Sequence, residues 1–459
     1  MIYRSVPISE LGDVVTGKTP STSNENYYGS DYMFLGPKDL HKHFKITESE
    51  KMITESGLKS IKGSMLNGLS ILVGCIGWDM GNVGLVEANC ATNQQINSIT
   101  NFKKGVNPFY VYYWLKGKKE LLFQKANVTR TPILNKTEFS KIKINLPELS
   151  YQNKVANVLL KIDSKIELNN KINAELEAMA KLIYDYWFVQ FDFPISPATA
   201  ASIGKPELAG KPYKSSGGPM VYNQELKREI PEGWEVDTIS SWFDHDKNGD
   251  WGKESAEGNY QTKVACVRGA DLNGLNGTGD LKCPTRYILE KNEHKILSEG
   301  DIVVEISGGS PTQSTGRMAF ITKETLERFE TPLICSNFCK AATLKSNEDL
   351  FFFAYTWRRI YDNGILFGWE GKTSGIKNLL FDSFVTNHTI EKPNSELIIS
   401  FQEFAEPMQA QIQKNLKQNQ ELSSLRDWLL PMLMNGQVTI KEAEEQFSMA
   451  AEAEVGYGK

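Results

Sequence analysis

The chain has 459 residues, 40% of them hydrophobic and 23% charged, with 51 Lys and Arg set against 56 Asp and Glu. That length exceeds one ordinary core and calls for two to four domains. No run of 18 apolar residues occurs, and the opening MIYRSVPISELGD has no apolar stretch of the kind a secretory signal needs, so the sequence excludes a membrane-spanning helix and points to a cytoplasmic protein. A net charge of -5 argues against a chain that binds polyanions through bulk charge alone.

Taken in order, the first feature is Gly12–Thr19 (GDVVTGKT), which fits the phosphate-loop pattern G-x4-G-K-[ST]. Such a loop works only between a buried strand and a helix whose N-terminus faces the phosphates. Here eleven residues precede it and Pro20 follows at once, so a turn is expected; a nucleotide hydrolase built on Gly12–Thr19 is the enzyme-class alternative. SILVGCI (70–76) reads as a short strand leading into the glycine loop GWDMGNVG (77–84), and NQQ (93–95) is a second polar cluster. FYVYYWLKGKKELLFQKA (109–126) is helical, opened by Pro108, with its aromatics expected in a core. Residues 103–143 hold ten basic side chains against Glu120 and Glu138. A long helical pattern follows over 155–188, and then a Pro-, Gly- and Ser-rich stretch at 194–219 that reads as a surface connector. IPEGWEV (230–236) opens the second half. DIVVEIS (301–307) is a second short strand before GGSPTQSTGR (308–317), a second long helical pattern covers 401–434, and 441–459 is an acidic tail expected to be a frayed helix or disordered.

The chain repeats itself. At an offset of 246, Ile166, Asn169, Asn173 and Leu176 of the first long pattern meet Ile412, Asn415, Asn419 and Leu422 of the second. Ile71 and Ile302, in the two short strands, stand only 231 apart, so the second half carries insertions. At 3.5-residue spacing the stripes Ile162, Ile166, Asn169, Asn173, Leu176, Ala180, Ile183, Trp187 and Met408, Ile412, Asn415, Asn419, Leu422, Arg426, Leu429, Leu433 read as seams of a helix pair, with the asparagines fixing register. Antiparallel pairing is expected, because each helix follows its own globular part, and Pro407 should kink the second helix or mark a late first turn. The fold class is therefore α+β with a pseudo-twofold internal repeat. The segments are a domain at 1–150, a helix at 151–193, a linker at 194–230, a domain at 231–393, a helix at 394–435 and an acidic tail at 436–459.

No catalytic or metal constellation emerges. Cysteines 75, 90, 266, 283, 335 and 339 contain no C-x2-C, and His41 with His43 is too little for a metal. NPFY (107–110) lacks the second proline of the N-P-P-[FY] loop that holds a target base in adenine methyltransferases. Loops following equivalent strands can instead reach base edges, which nominates Trp78, Asp79 and Asn82, Asn93, Gln94 and Gln95, and Gln313, Ser314, Thr315 and Arg317. Lys18, Lys103, Lys104, Lys116, Lys118, Lys119, Lys125 and Arg130 are the phosphate candidates.

The order TGKTPS (16–21), LPELSYQ (146–152), the helix VLLKIDSKIELNNKINAELEAMAKLIYDYWFVQFDFP (158–194) and IPEGWEV (230–236), followed by a second globular part and helix, resembles the specificity subunits of type I restriction–modification enzymes. The resemblance implies two target-recognition domains, separated by two long antiparallel coiled-coil helices, that read a bipartite double-stranded DNA site. It also implies two methyltransferase subunits and two restriction–translocase subunits as partners. S-adenosylmethionine, ATP and Mg would then be used by those partners, with no cofactor on this chain and no catalytic residue. A specificity subunit of a modification-only system is the nearer alternative. KPNSELIISFQ (392–402), where the first half has LPELSYQ, departs from the pattern and puts that turn in doubt.

Overall fold

The computed structural model describes residues 3–41, 44–128, 130–277, 279, 281–308, 312–373 and 376–452. The chain forms two compact units, one from 1–168 with 418–459 and the other from 169–417. Each is a mixed α+β body that includes one end of both long helices.

The two units repeat one topology. In the first, a four-stranded antiparallel sheet runs Asp13–Thr16, Ile96–Thr100, Ser70–Gly74, Val83–Val86. In the second, the order is Phe243–Asn248, Cys339–Leu344, Asp301–Glu305, Met318–Phe320, again antiparallel. Each unit adds a smaller sheet with one parallel pair, Tyr28–Leu35 beside Cys90–Thr92 and Tyr260–Val267 beside Leu333–Cys335. The inner strands Ser70–Gly74 and Asp301–Glu305 are buried along their whole length, so their central three residues are apolar without alternation, while Asp301 and Glu305 at the ends of the second are ion-paired to Lys247 and Arg317. Pro108 does open a helix, Pro108–Lys116, capped by the Asn107 carboxamide, and its Tyr110, Tyr112 and Tyr113 are in the core.

The first long helix, Leu149–Tyr184, widens into a π-type turn at Asp185–Val189 and ends where Phe191 adopts φ +66°. The second, Ser395–Met434, runs unbroken through Pro407 and Pro431. The expected break at Pro407 is absent because the proline and Glu403, whose carbonyl loses its partner, lie on the exposed face where water can serve it. Within the first unit Tyr151 OH donates to the Leu433 carbonyl at 3.0 Å and Arg426 Nη1 to Asp163 Oδ1 at 2.7 Å. Within the second, Asn415 Nδ2 donates to Asn173 Oδ1 at 2.7 Å and Gln409 Nε2 to Glu177 Oε2 at 2.9 Å. Numbers rise on one helix as they fall on the other, so the pairing is antiparallel in both units. Asn169, Asn173, Asn415 and Asn419 are all buried with Ile412 and Leu422, while Ile166 and Leu176 are half-buried.

Two segments differ from their expected character. Residues 194–230 are folded rather than a surface connector: they hold the helix Pro197–Ser202 and part of the hairpin Met220–Asn223/Arg228–Pro231. Phe193 stacks on Tyr213 at 4.6 Å and on Trp234 at 5.6 Å, and Asp192 accepts bonds from both Ser215 N–H and Ser215 Oγ. Three aromatic rings supply the burial that the small-residue composition lacks. The tail is the expected helix, Ile440–Glu452, but packed rather than frayed: it is capped reciprocally by Thr439 and Glu442, with Ala443 buried and Phe447 against the first unit's core.

Candidate nucleic-acid interface

In the first unit, one end of the four-stranded sheet gathers most of the nominated loops. There Asp13–Thr16 runs out into Gly17 and Lys18, Ile96–Thr100 begins after the Asn93–Gln95 turn, and residues 75–82 join the other two strands. Backbone bonds tie these segments together: Lys18 N–H to Thr92 O at 2.9 Å, Gly17 N–H to Ile96 O at 3.0 Å, Cys75 N–H to Gln95 O at 2.8 Å and Gly77 N–H to Pro132 O at 3.0 Å. Gly17 is required here, since a Cβ would stand 2.0 Å from the Asn93 carbonyl oxygen. The same bonds dispose of the phosphate loop. The amides that would cradle a phosphate are spent on the sheet, and no helix begins at Thr19.

On this frame Trp78 is 70% exposed, its ring 6.2 Å from Phe123. Lys119 Nζ donates to Asp79 Oδ1 at 2.7 Å and Asn82 Oδ1 at 3.0 Å, and Asn82 Nδ2 donates to the Asp79 carbonyl at 2.7 Å. Asp79, Asn82 and Lys119 therefore brace the loop for one another. An exposed pair of this kind is worth at most about 1 kcal/mol, so it can yield to a phosphate. Asn93 Nδ2 donates to Gln95 Oε1 at 3.0 Å, leaving Gln94 as the exposed member of the turn; its Oε1 accepts from Thr19 Oγ1 at 2.7 Å.

The phosphate candidates divide. Lys18, Lys125 and Arg130 are exposed, Lys18 on this end, Lys125 and Arg130 in the segment leading to Pro132, whose carbonyl takes the Gly77 amide. Lys103 and Lys104 are exposed at the opposite end of the sheet, where Lys103 N–H donates to Leu11 O at 2.8 Å. Lys118 lies half-buried over Trp114. Lys116 is a correction. It rests over the Tyr112 ring at 5.6 Å near Asp163 and Arg426, and burial pushes its pKa down, so it serves the helix contact rather than a phosphate.

In the second unit the nominated loop is mostly internal. Ser314 and Thr315 are buried, and Glu370 Oε1 accepts from Thr315 N–H at 2.8 Å, Thr315 Oγ1 at 3.1 Å and Ser314 Oγ at 3.1 Å. Burial opposes ionisation of Glu370, yet these bonds and Lys377 hold its carboxyl below the usual range. Arg317 makes a bidentate pair with buried Glu305, at 2.9 and 2.7 Å. Base reading by Ser314, Thr315 and Arg317 is thus overturned: their polar groups face the protein. Gln313 is exposed, and its carbonyl accepts from Lys377 Nζ at 3.3 Å. The sequence reading passed over Phe338, 54% exposed, and Trp251, 37% exposed and stacked at 4.2 Å on Arg286.

All six cysteines are free and buried, and burial pushes the Cys75 and Cys339 thiols up to about 12. Among the described residues no three His, Cys, Asp or Glu side chains group to hold a metal, and no helix is long and apolar enough to cross a membrane. His43 lies outside the described residues.

A duplicated α+β body, with loop-bearing sheet ends and a shared helix pair, defines the class of protein. Residues 3–178 match the family model described as the type I restriction modification DNA specificity domain. Over 447 residues the chain is 25% identical to the type I restriction enzyme MjaIX specificity subunit of Methanocaldococcus jannaschii, spanning 95% of this chain and 93% of that one. It is 33% identical over 172 residues to the HindI specificity subunit of Haemophilus influenzae, 36% of this chain and 37% of the relative. The crystal structure of a type I restriction–modification S subunit from M. genitalium shares the fold, with a TM-score of 0.54 at 14% identity over 94% of this chain and 96% of that one. Residues 3–178 are thus similar to a type I DNA specificity domain, and along its length the chain is similar to type I restriction enzyme specificity subunits, as the resemblance drawn from the sequence has it.

Proposed function

We propose that the chain is the DNA-reading, non-catalytic subunit of a type I restriction–modification system. Each unit reads one half of a bipartite duplex site, and the shared helices fix the gap between the halves. The same helices scaffold two methyltransferase subunits and two restriction–translocase subunits, which supply S-adenosylmethionine, ATP and Mg chemistry in the prokaryotic cytoplasm.

The observation that carries this reading is the duplication of one sheet end. Equivalent turns recur in both units, tied by equivalent backbone bonds, on a chain similar to specificity subunits throughout. Rigid turns of this kind suit base contacts, while Lys18, Lys125 and Arg130 suit phosphates.

The test is selection of randomised duplexes by the full chain, followed by sequencing of the bound pool. Two short enriched motifs at a constant spacing are expected. A pool without enriched sequence, or with a single uninterrupted motif, would overturn the reading.

A further inference from the structure

The backbone gives a residue-by-residue correspondence that the side chains hide. In the first unit Asn93 N–H donates to Leu35 O at 3.0 Å, Lys18 N–H to Thr92 O at 2.9 Å, Ile96 N–H to Asn93 O at 3.2 Å and Cys75 N–H to Gln95 O at 2.8 Å. In the second, Ser336 N–H donates to Val267 O at 2.8 Å, Asp250 N–H to Cys335 O at 2.9 Å, Cys339 N–H to Ser336 O at 2.8 Å and Ile306 N–H to Phe338 O at 2.9 Å. Even the close approach recurs: a Cβ on Gly249 would stand 2.0 Å from the Ser336 carbonyl oxygen, as one on Gly17 would from that of Asn93. Asn93, Gln94 and Gln95 therefore correspond to Ser336, Asn337 and Phe338.

Resting on the DNA-reading function above, we propose that Gln94 and Asn337 are equivalent base readers, one per half-site, and that Phe338 gives the second half its different preference. Both are exposed carboxamides at the apex of a turn pinned on both flanks. A carboxamide pairs bidentately with N6 and N7 of adenine in the major groove, and a fixed backbone spares the ordering cost of presenting it. Thr19 Oγ1 donates to Gln94 Oε1 at 2.7 Å, which sets the orientation of that amide. In the neighbouring position the first unit holds Gln95, steered by Asn93, whereas the second holds Phe338. The Phe338 carbonyl accepts from both Ile306 and Ser307 N–H, which fixes its backbone, and its side chain is exposed. A phenyl ring has no hydrogen bond to offer a base, and it discriminates through the thymine methyl or as a wedge at a flexible step. This turn, not the loop of Ser314, Thr315 and Arg317, is the reading element of the second unit.

The experiment is duplex selection with the full chain and with Asn337→Ala, Gln94→Ala and Phe338→Ala, each checked for unchanged melting. Asn337→Ala should relax one adenine-containing position in one half-site by roughly tenfold or more and leave the other half intact. Gln94→Ala should do the same in the other half, and Phe338→Ala should relax a position adjacent to the Asn337 one. Asn337→Gln, which keeps the amide on a longer arm, should retain partial preference. If the wild-type motif appears and the variants leave it unchanged, or lower binding to every sequence alike, this assignment is overturned while the DNA-reading function survives. If the wild-type chain selects no motif, both fall together.

Discussion

Replacing Arg426 by Met tests how the first unit is joined to its helix pair. Asp163 is 3% exposed; its Oδ1 accepts from Arg426 Nη1 at 2.7 Å and its Oδ2 from the Tyr113 hydroxyl at 2.7 Å. Tyr113 belongs to the helix Pro108–Lys116, so one carboxylate joins both long helices to the domain's own helix. Removing the arginine leaves a buried charge with a single neutral donor, which costs about 3–5 kcal/mol. Tyr113→Phe deletes only one bond to a charged group, about 1.5–3 kcal/mol. Replacing Asp163 and Arg426 together by Leu and Met removes the desolvation cost with the attraction and should recover most of the loss. Urea unfolding of the parent chain, Arg426→Met, Asp163→Leu and the double variant, followed by near-ultraviolet signals of the first unit, gives the four free energies of the cycle. An Arg426→Met cost below about 1 kcal/mol, or a double variant whose loss equals the sum of the singles, would refute the argument, because it would mean that the pair is solvated and uncoupled.

Asn173 Nδ2 is buried without a hydrogen-bond partner among the described residues, so Asn173→Leu with Asn415→Leu should be stabilising or neutral in melting, whereas Asn415→Leu alone should cost about 1–3 kcal/mol. Lys18→Glu, Lys125→Glu and Arg130→Glu should each weaken binding to all duplexes alike and lower the salt slope by roughly one unit, measured by fluorescence anisotropy across salt concentrations; a changed sequence preference would count against a phosphate role. Because burial raises the Cys75, Cys90, Cys266 and Cys339 thiols to about 12, these groups stay neutral in the folded chain. The unfolded chain ionises its thiols near pH ~8.5, so their contribution to stability is complete below that pH and declines as pH rises toward 12. A chromogenic disulfide reagent should accordingly label the native chain slowly and the denatured chain at once.

The helix pair was legible because its information is local: a seam at 3.5-residue spacing needs only the neighbouring turns, and the asparagines on it are buried as expected. Pro407 misled because its cost depends on which face it occupies, a property of packing rather than of the residue. The 194–230 stretch misled for the opposite reason. Its composition is that of a connector, but Phe193, Tyr213 and Trp234, spread over some forty positions, stack into one cluster. The loops were half legible. Position after a strand located them, yet Ser314 and Thr315 are claimed by Glu370, a carboxylate 55 residues away from Thr315, and nothing near them in sequence announces it.

Insertions explain why the turn at 336–338 stayed hidden. Ile71 and Ile302 correspond at an offset of 231, but Gly81 and Gly316, which donate to equivalent carbonyls of Gly74 and Glu305, are 235 apart. Between there and the next strand the second half gains the helix Lys323–Leu326, and Asn93 and Ser336 stand 243 apart. The added residues fall in connections, where chain length costs little, and leave the sheet hydrogen bonds intact. A constant-offset comparison therefore loses register at these two turns, and side-chain identity cannot restore it, since Asn-Gln-Gln corresponds to Ser-Asn-Phe. Divergence at those side chains on a repeated backbone frame is what the duplicated reader proposed above requires: two halves of a site can differ only if the heads keep their frame and change what the frame displays.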